Sequence, residues 1–196
     1  VKFAYGEQAA RGEIAWDVYP TAHYQLGGVR VDAQCKVRGL ENLYAVGEVA
    51  GGLYGANRIG STSLAELFLF GAFVGNQSAE ISRKMDKPEL APDQSKSVFA
   101  AAEKVRGQTG PARPVTLTRE LQKTMWEKAG PVRDREGLLA AIGDIEDIRR
   151  RYDDIKVADR ADYNPEWLDA LELKKMLVTA ETIVRSALER RESRGG

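Results

Sequence analysis

Glycine is unevenly spread along this chain, and that distribution limits the possible folds more than any other feature. Twelve of the 19 glycines fall in residues 1–87 and seven in the remaining 109. Glycine reaches backbone conformations closed to other residues and weakens any helix that contains it. The first stretch is therefore expected to be tight turns between short elements, and the second a set of longer helices. Gly28-Val29-Arg30-Val31-Asp32 alternates in polarity, and Leu43-Tyr44-Ala45-Val46 is a short apolar run ending in Gly47-Glu48. Both are expected as strands. From Ser61 the pattern turns helical: Ser61, Thr62 or Ser63 can cap, and Leu64, Leu67, Phe68 and Phe70 begin an apolar face reaching about Met85. Lys87-Pro88 through Pro92 reads as a linker.

No strand signal follows the linker. A helix is expected over 91 to about 107, and Gly110-Pro111-Ala112-Arg113-Pro114 breaks the pattern. Thr116 or Thr118 is the expected cap of the next helix, which ends at Gly130-Pro131. A third helix covers 135–152, with Leu138, Leu139, Ile142, Ile145 and Ile148 at helical spacing. Asn164-Pro165 opens the last, with Asn as cap and Pro at the first helical position. The fold class is α+β: short strands, a glycine-rich loop and a long helix, then an antiparallel helical bundle.

Composition removes several functions. Lys plus Arg and Asp plus Glu both number 29, so no charge excess is available to neutralise phosphates, and a nucleic-acid partner is not expected. A single cysteine, Cys35, excludes an internal disulfide, and a single histidine, His23, excludes a multi-histidine metal site. No metal is expected. The longest apolar stretch, 67–74, is far short of the roughly 20 residues a membrane helix needs, so direct membrane insertion is not expected.

Chemistry is best sought where the glycines meet the helix start. Gly51-Gly52-Leu53-Tyr54-Gly55-Ala56-Asn57-Arg58-Ile59-Gly60 precedes the capped helix and fits neither the G-x-G-x-x-G fingerprint nor a Walker loop. A helix N-terminus behind flexible glycines offers backbone N–H groups to anionic or electron-rich ligands; the same sequence also suits a plain turn. Arg58 can hold a carboxylate by a two-pronged hydrogen bond or pair with a surface acid. Glu48, at the end of an expected strand, can accept from a ribose hydroxyl or be a solvated turn carboxylate. His23, beside Tyr24 and ahead of Gly27-Gly28, suits acid–base work or a structural hydrogen bond.

Taken together, these blocks are far more specific. Pro20-Thr21-Ala22-His23-Tyr24-x-x-Gly27-Gly28, Gly39-Leu40-x-x-Leu43-Tyr44-Ala45-x-Gly47-Glu48 and Gly55-Ala56-Asn57-Arg58-Ile59-Gly60-x-x-Ser63-Leu64, then Phe70-Gly71, resemble the flavoprotein subunit of succinate dehydrogenase and fumarate reductase. The tail agrees, with Met125-Trp126, Tyr163-Asn164, Leu171-Glu172-Leu173 and Arg191-Glu192-Ser193-Arg194-Gly195. The resemblance covers essentially the whole chain.

The resemblance implies residues 1–19 as the end of a capping domain, 20–87 as the closing segment of an FAD-binding domain and 88–196 as the C-terminal helical domain. It implies FAD as cofactor, succinate or fumarate as substrate and, as partner, an iron–sulfur subunit, in electron transport and the tricarboxylic acid cycle. It also implies a cytoplasmic location, peripheral on the inner membrane through partner subunits. His23 and Arg58 match the catalytic pair that holds the dicarboxylate. Glu48 matches the acid at the FAD ribityl or ribose hydroxyls, and Ser63 and Leu64 match the backbone contacts to the isoalloxazine. The family's N-terminal Rossmann segment and most of its capping domain have no counterpart here, so the chain is expected to be a C-terminal fragment, inactive alone. Tyr54 stands where the family usually has histidine, and Thr62 where it usually has asparagine, which leaves subfamily and reaction direction open. L-aspartate oxidase shares the pattern and is the rival reading; a non-catalytic module docking an iron–sulfur subunit is the other.

Overall fold

In the computed structural model, which describes residues 2–14, 23–55, 60–87, 89 and 91–192, the chain forms two units, Val1–Lys84 and Met85–Gly196. The first is built from short elements. Helix α1 (Lys2–Ala10) is interrupted at Gly6, whose φ of 84° and ψ of 178° are not helical. Strands β1 (Val29–Arg30) and β2 (Ala50–Gly51) pair in parallel, with Val29 opposite Ala50 and Arg30 opposite Gly51. A Cβ on Gly28 would stand 2.2 Å from the Val49 carbonyl oxygen, so the approach of the two strands requires glycine there.

Between the strands the backbone folds back on itself. The Asp32 carboxylate accepts the N–H of Gln34 (2.9 Å) and of Lys36 (3.0 Å), an arrangement that stabilises turns in competition with ladders. Cys35 follows in the left-handed region at φ 61°. The expected strand over 28–32 accordingly contracts to Val29–Arg30 plus one bridge from Val31 to Val37. The apolar run 43–46 is not a strand either and carries one bridge, from Tyr44 to Lys36. Gly47, at φ 78°, then opens a single 3-10 turn, Gly47–Val49, and only after it does the chain reach β2. Alternation reported which side chains turn inward, Cys35, Val37 and Ala45 being buried, but the Asp32 turn and Gly47 stop any ladder from extending.

Helix α2 (Thr62–Lys84) lies close to the expected bounds. Its apolar side chains are nevertheless largely exposed, Phe68 at 77 %, and its one buried residue is Glu66.

The second unit is helical throughout: α3 (Pro92–Glu103), α4 (Pro114–Ala129), α5 (Arg135–Tyr152) and α6 (Pro165–Glu189). Its core is drawn from α4, α5 and α6, with Leu117, Leu121, Ala141, Ile145, Leu173, Leu177 and Val184 buried. Ile155 and Val157, on the connection from α5 to α6, join it. That connection is fastened to the α3–α4 loop by Gly110 N–H to Ile155 O (3.0 Å) and Lys156 N–H to Ala112 O (2.7 Å).

Helix ends follow local chemistry. Asp134 accepts from Gly137 N–H at 2.7 Å and Asn164 from Trp167 N–H at 3.1 Å, each capping the helix that follows it. Neither Thr116 nor Thr118 caps α4: the helix starts earlier, at Pro114, behind Arg113. Proline at the first turn has no N–H to satisfy and its φ is already helical, so no hydroxyl cap is needed. Helix α3 stops at Glu103 instead of running to 107, because the next N–H groups turn to tighter partners, Val105 to Ala102 O and Arg106 to Glu103 O. No helix among the described residues is long and apolar enough to cross a membrane.

Candidate functional site

The candidate residues fall in the first unit, and short polar links join the segments that carry them. Glu48 sits in the 3-10 turn with its carboxylate exposed, and its Oε1 accepts the Gln25 N–H at 2.6 Å. That bond fastens the segment beginning at His23 to the turn, two residues beyond the histidine. The His23 ring is exposed and tilts 55° to the Tyr24 ring, their centroids 6.3 Å apart. Tyr24 in turn meets Tyr54 edge to face at 6.2 Å, a favourable aromatic geometry. The His23 segment therefore touches both the Glu48 turn and the glycine-rich loop.

Tyr54 continues the chain of contacts. Its hydroxyl lies 3.1 Å from the Thr62 carbonyl oxygen and 3.1 Å from Glu66 Oε2. Glu66 Oε1 accepts the Gly47 N–H at 2.8 Å. Turn, loop and helix start are thus held by one buried carboxylate, at 6 % exposure. Gly47 is required at this junction, since a Cβ there would stand 2.5 Å from Leu67 Cδ2 and its φ is positive.

Ser63 and Leu64 stand in the first turn of α2, where helical geometry leaves N–H groups without partners inside the helix. Ser63 is half-buried, while Leu64 is exposed and its N–H turns back to Ser61 O at 3.2 Å. Arg58 lies outside the described residues, with Ala56, Asn57 and Ile59, as do Pro20-Thr21-Ala22 and Ser193-Arg194-Gly195. Of the five candidates, Glu48 is joined to the His23 segment by a direct hydrogen bond and to the helix carrying Ser63 and Leu64 through Gly47 and Glu66.

Two contributors were not found by reading motifs. Glu66 falls on the side of α2 away from Leu64 and Phe68, where helical spacing places a carboxylate in solvent, so nothing in the local pattern marked it for burial. Tyr24 was visible only as a neighbour of the histidine. Cys35 is not a nucleophile candidate, because burial, with the nearby Asp32 and Glu66 carboxylates, pushes its thiol pKa up.

The donor set suits a flavin nucleotide. An exposed carboxylate on a turn can accept from a polyol hydroxyl, a helix start presents N–H groups, and a glycine cradle lets backbone approach closely.

Comparison with known proteins agrees with this reading. Residues 2–64 match the FAD binding domain family and residues 118–196 match the fumarate reductase flavoprotein C-terminal family. A fumarate reductase (CoM/CoB) subunit of Methanothermobacter marburgensis is 37% identical over 179 residues, covering 91% of this chain and 32% of that protein. The fumarate reductase flavoprotein subunit of Haemophilus influenzae is 36% identical over 182 residues, again covering 91% of this chain and 30% of its own length. Among solved structures, a chain of E. coli quinol fumarate reductase superposes with a TM-score of 0.88 at 32% identity, over 99% of this chain and 33% of that one. A chain of the Mycobacterium smegmatis Sdh1 complex gives 0.82 at 32% identity, over 89% of this chain and 30% of that one. The chain spans about a third of the length of these relatives. Over that third, with an FAD-binding segment leading into the flavoprotein C-terminal domain, this chain belongs to the succinate dehydrogenase and fumarate reductase flavoprotein family.

Proposed function

We propose that this chain supplies the closing part of the active site of an FAD-dependent oxidoreductase that interconverts succinate and fumarate. The rest of the site comes from the two thirds of the sequence that its relatives have and this chain does not span. The observation that carries the reading is the Gln25–Glu48 hydrogen bond, which joins a substrate-side segment to a cofactor-side turn. Residues 1–19 close the capping domain, 20–87 close the FAD-binding domain and 88–196 form the helical domain.

Each side chain has a part suited to its chemistry. Arg58 forks onto one substrate carboxylate and His23 donates to the other, so that two fixed points set the orientation of the carbon–carbon bond being reduced or oxidised. Glu48 accepts from a ribityl or ribose hydroxyl, and the Ser63 and Leu64 backbone meets the isoalloxazine at the positive end of α2. FAD, when bound, supplies the two-electron chemistry by hydride transfer at N5. Exposed apolar residues of α2, such as Phe68 and Leu69, are the surface that the remainder of the FAD-binding domain covers. An iron–sulfur subunit is the electron-transfer partner, and attachment to the membrane is peripheral through partner subunits.

Arg58→Lys in the full-length flavoprotein tests the assignment. A lysine keeps the charge and loses the fork, so fumarate and succinate turnover should fall at least 100-fold while FAD stays bound. Unchanged turnover would refute the role of Arg58. Aspartate oxidation in place of succinate oxidation would move the protein to L-aspartate oxidase chemistry. Absorbance in the flavin band, measured on the isolated 196-residue chain with added FAD, separates a cofactor-competent segment from one that needs the remaining sequence; no uptake is expected.

A further inference from the structure

We propose that Glu66 is the positioning residue of this site, and that its two oxygens do separate work. Oε1 fixes the Gly47-Glu48 turn on the cofactor side, and Oε2 fixes Tyr54, and with it the Tyr24 ring beside His23, on the substrate side. The proposal rests on the functional reading above and adds a residue to it that touches neither ligand.

The case begins with an inversion. Helix α2 exposes Leu64, Leu67, Phe68 and Leu69 yet buries a glutamate. A buried carboxylate is costly unless its lone pairs are met by donors, and here both oxygens are met, by Gly47 N–H at 2.8 Å and Tyr54 Oη at 3.1 Å. Neither link is local, since Gly47 lies 19 residues and Tyr54 12 residues before Glu66. The carboxylate therefore acts as a fixed pivot on a rigid helix for two separate loops, which is how precise sites are supported.

The two arms reach the two sides of the site. Gly47 precedes Glu48, so holding the Gly47 N–H while Leu67 closes against its α-carbon sets the direction in which the Glu48 side chain leaves the turn. Tyr54 stands four residues before Arg58, and its hydroxyl has one proton to share between Glu66 Oε2 and the Thr62 carbonyl. Its ring carries the constraint on to Tyr24, beside His23. Tyr54 and Glu66 are therefore a matched pair: without the carboxylate, the phenol falls back on its bond to the helix start.

The test uses the full-length flavoprotein with three substitutions, and three readouts: FAD dissociation constant, KM against kcat for fumarate, and amide exchange at Gly47. Tyr54→Phe removes the substrate-side link, together with the bond to the Thr62 carbonyl, and leaves the Gly47 arm in place. It should raise KM about tenfold, the size expected for losing a hydrogen bond to a charged group, with FAD affinity and Gly47 exchange unchanged. Glu66→Gln keeps an oxygen for Gly47, and its amide N–H can donate to the Tyr54 oxygen while the phenol proton goes to the Thr62 carbonyl, so KM should rise less than in Tyr54→Phe. The double variant should be no worse than Tyr54→Phe alone, because that substitution has already broken the link. Glu66→Ala breaks both arms, and should also accelerate Gly47 exchange and weaken FAD binding, each about tenfold.

The proposal is overturned if Tyr54→Phe leaves KM unchanged. It is equally overturned if adding Glu66→Gln to Tyr54→Phe raises KM further, or if Glu66→Ala leaves Gly47 exchange and FAD affinity at their starting values. Should Glu66→Ala fail to fold, Tyr54→Phe and the double variant decide the matter. Absence of dicarboxylate turnover in the unmodified flavoprotein would sink the functional reading instead, and the exchange and FAD readouts would still judge Glu66.

Discussion

Helices α2 and α5 arise from the same kind of sequence and end in opposite environments. Both carry apolar residues at helical spacing. Helix α5 buries Leu138, Ala141, Ile145, Ile148 and Tyr152 against α4 and α6, whereas α2 buries only Glu66 and leaves Phe68 and Leu69 exposed. The difference teaches that periodicity reports a helix with an apolar face, and says nothing of what that face meets. It also separates stability from chemistry in this molecule. The helical unit carries the large core, and the glycine-rich unit carries the described candidates for ligand contact.

The strongest way to break that contrast is to truncate both kinds of residue in the same chain. Leu173→Ala, at a fully buried position, should cost about 2–5 kcal/mol in urea unfolding. Phe68→Ala should stay within about 0.5 kcal/mol, as for other exposed side chains. Equal losses at the two positions would erase the distinction. In the full-length flavoprotein the contrast should narrow, with Phe68→Ala becoming costly.

A smaller effect sharpens the account of the helical unit. Asn164→Ala removes the side chain that accepts from Trp167 N–H at the start of α6, and should cost about 1 kcal/mol. Asn164→Asp keeps that acceptor but loses the Nδ2 donations to Ala158 O (2.8 Å) and Arg160 O (2.9 Å), so it should recover only part of the loss. An Ala variant as stable as the original would show that Pro165 alone sets the helix start.

The smallest effect for each group is electrostatic. Arg151 forks onto Glu120 at 2.5 and 2.9 Å, and Arg149 and Arg185 converge on Glu181 at 2.6 and 2.7 Å. These partners hold the carboxyl pKa of Glu120 and of Glu181 below the ordinary value of 4.5. A folded-state pKa below the unfolded one contributes stability above the unfolded value, and that contribution is lost as pH falls through the folded value. Melting of the helical unit should therefore be level down to about pH 5 and fall below about pH 4.5. Added salt should weaken the effect, since these pairs are partly exposed. Glu120→Gln should make the acid-side decline shallower, and a decline of unchanged steepness would remove Glu120 from the account.

Legibility followed the range of the interaction. Asn164-Pro165 announced α6, and the bounds of α5 coincide with the expected 135–152, because caps and helical spacing act within a few residues. The strands are shorter than alternation implies, because alternation reports facing, whereas a ladder needs a partner in register. The Asp32 turn and Gly47 direct the backbone elsewhere, and β1 finds its partner at Ala50–Gly51, beyond the apolar run 43–46. Thr116 was passed over as a cap because Pro114 had already begun the helix. Glu48 was visible from its place after Gly47, while its bond to Gln25, 23 residues away, was not.

The sequence by itself determined the division between a glycine-rich, turn-built region and a helical one, the span of α5, the cap that starts α6, and the family, whose motifs lie in contiguous blocks. All of these depend on neighbours along the chain. Only the tertiary structure decided that Glu66 is buried while the leucines and phenylalanines around it are exposed. It alone brought Gly47 and Tyr54 to that carboxylate from 19 and 12 residues away. A carboxylate becomes a pivot only when donors from distant segments converge on it, and that convergence is a property of the folded backbone, with no trace in local spacing.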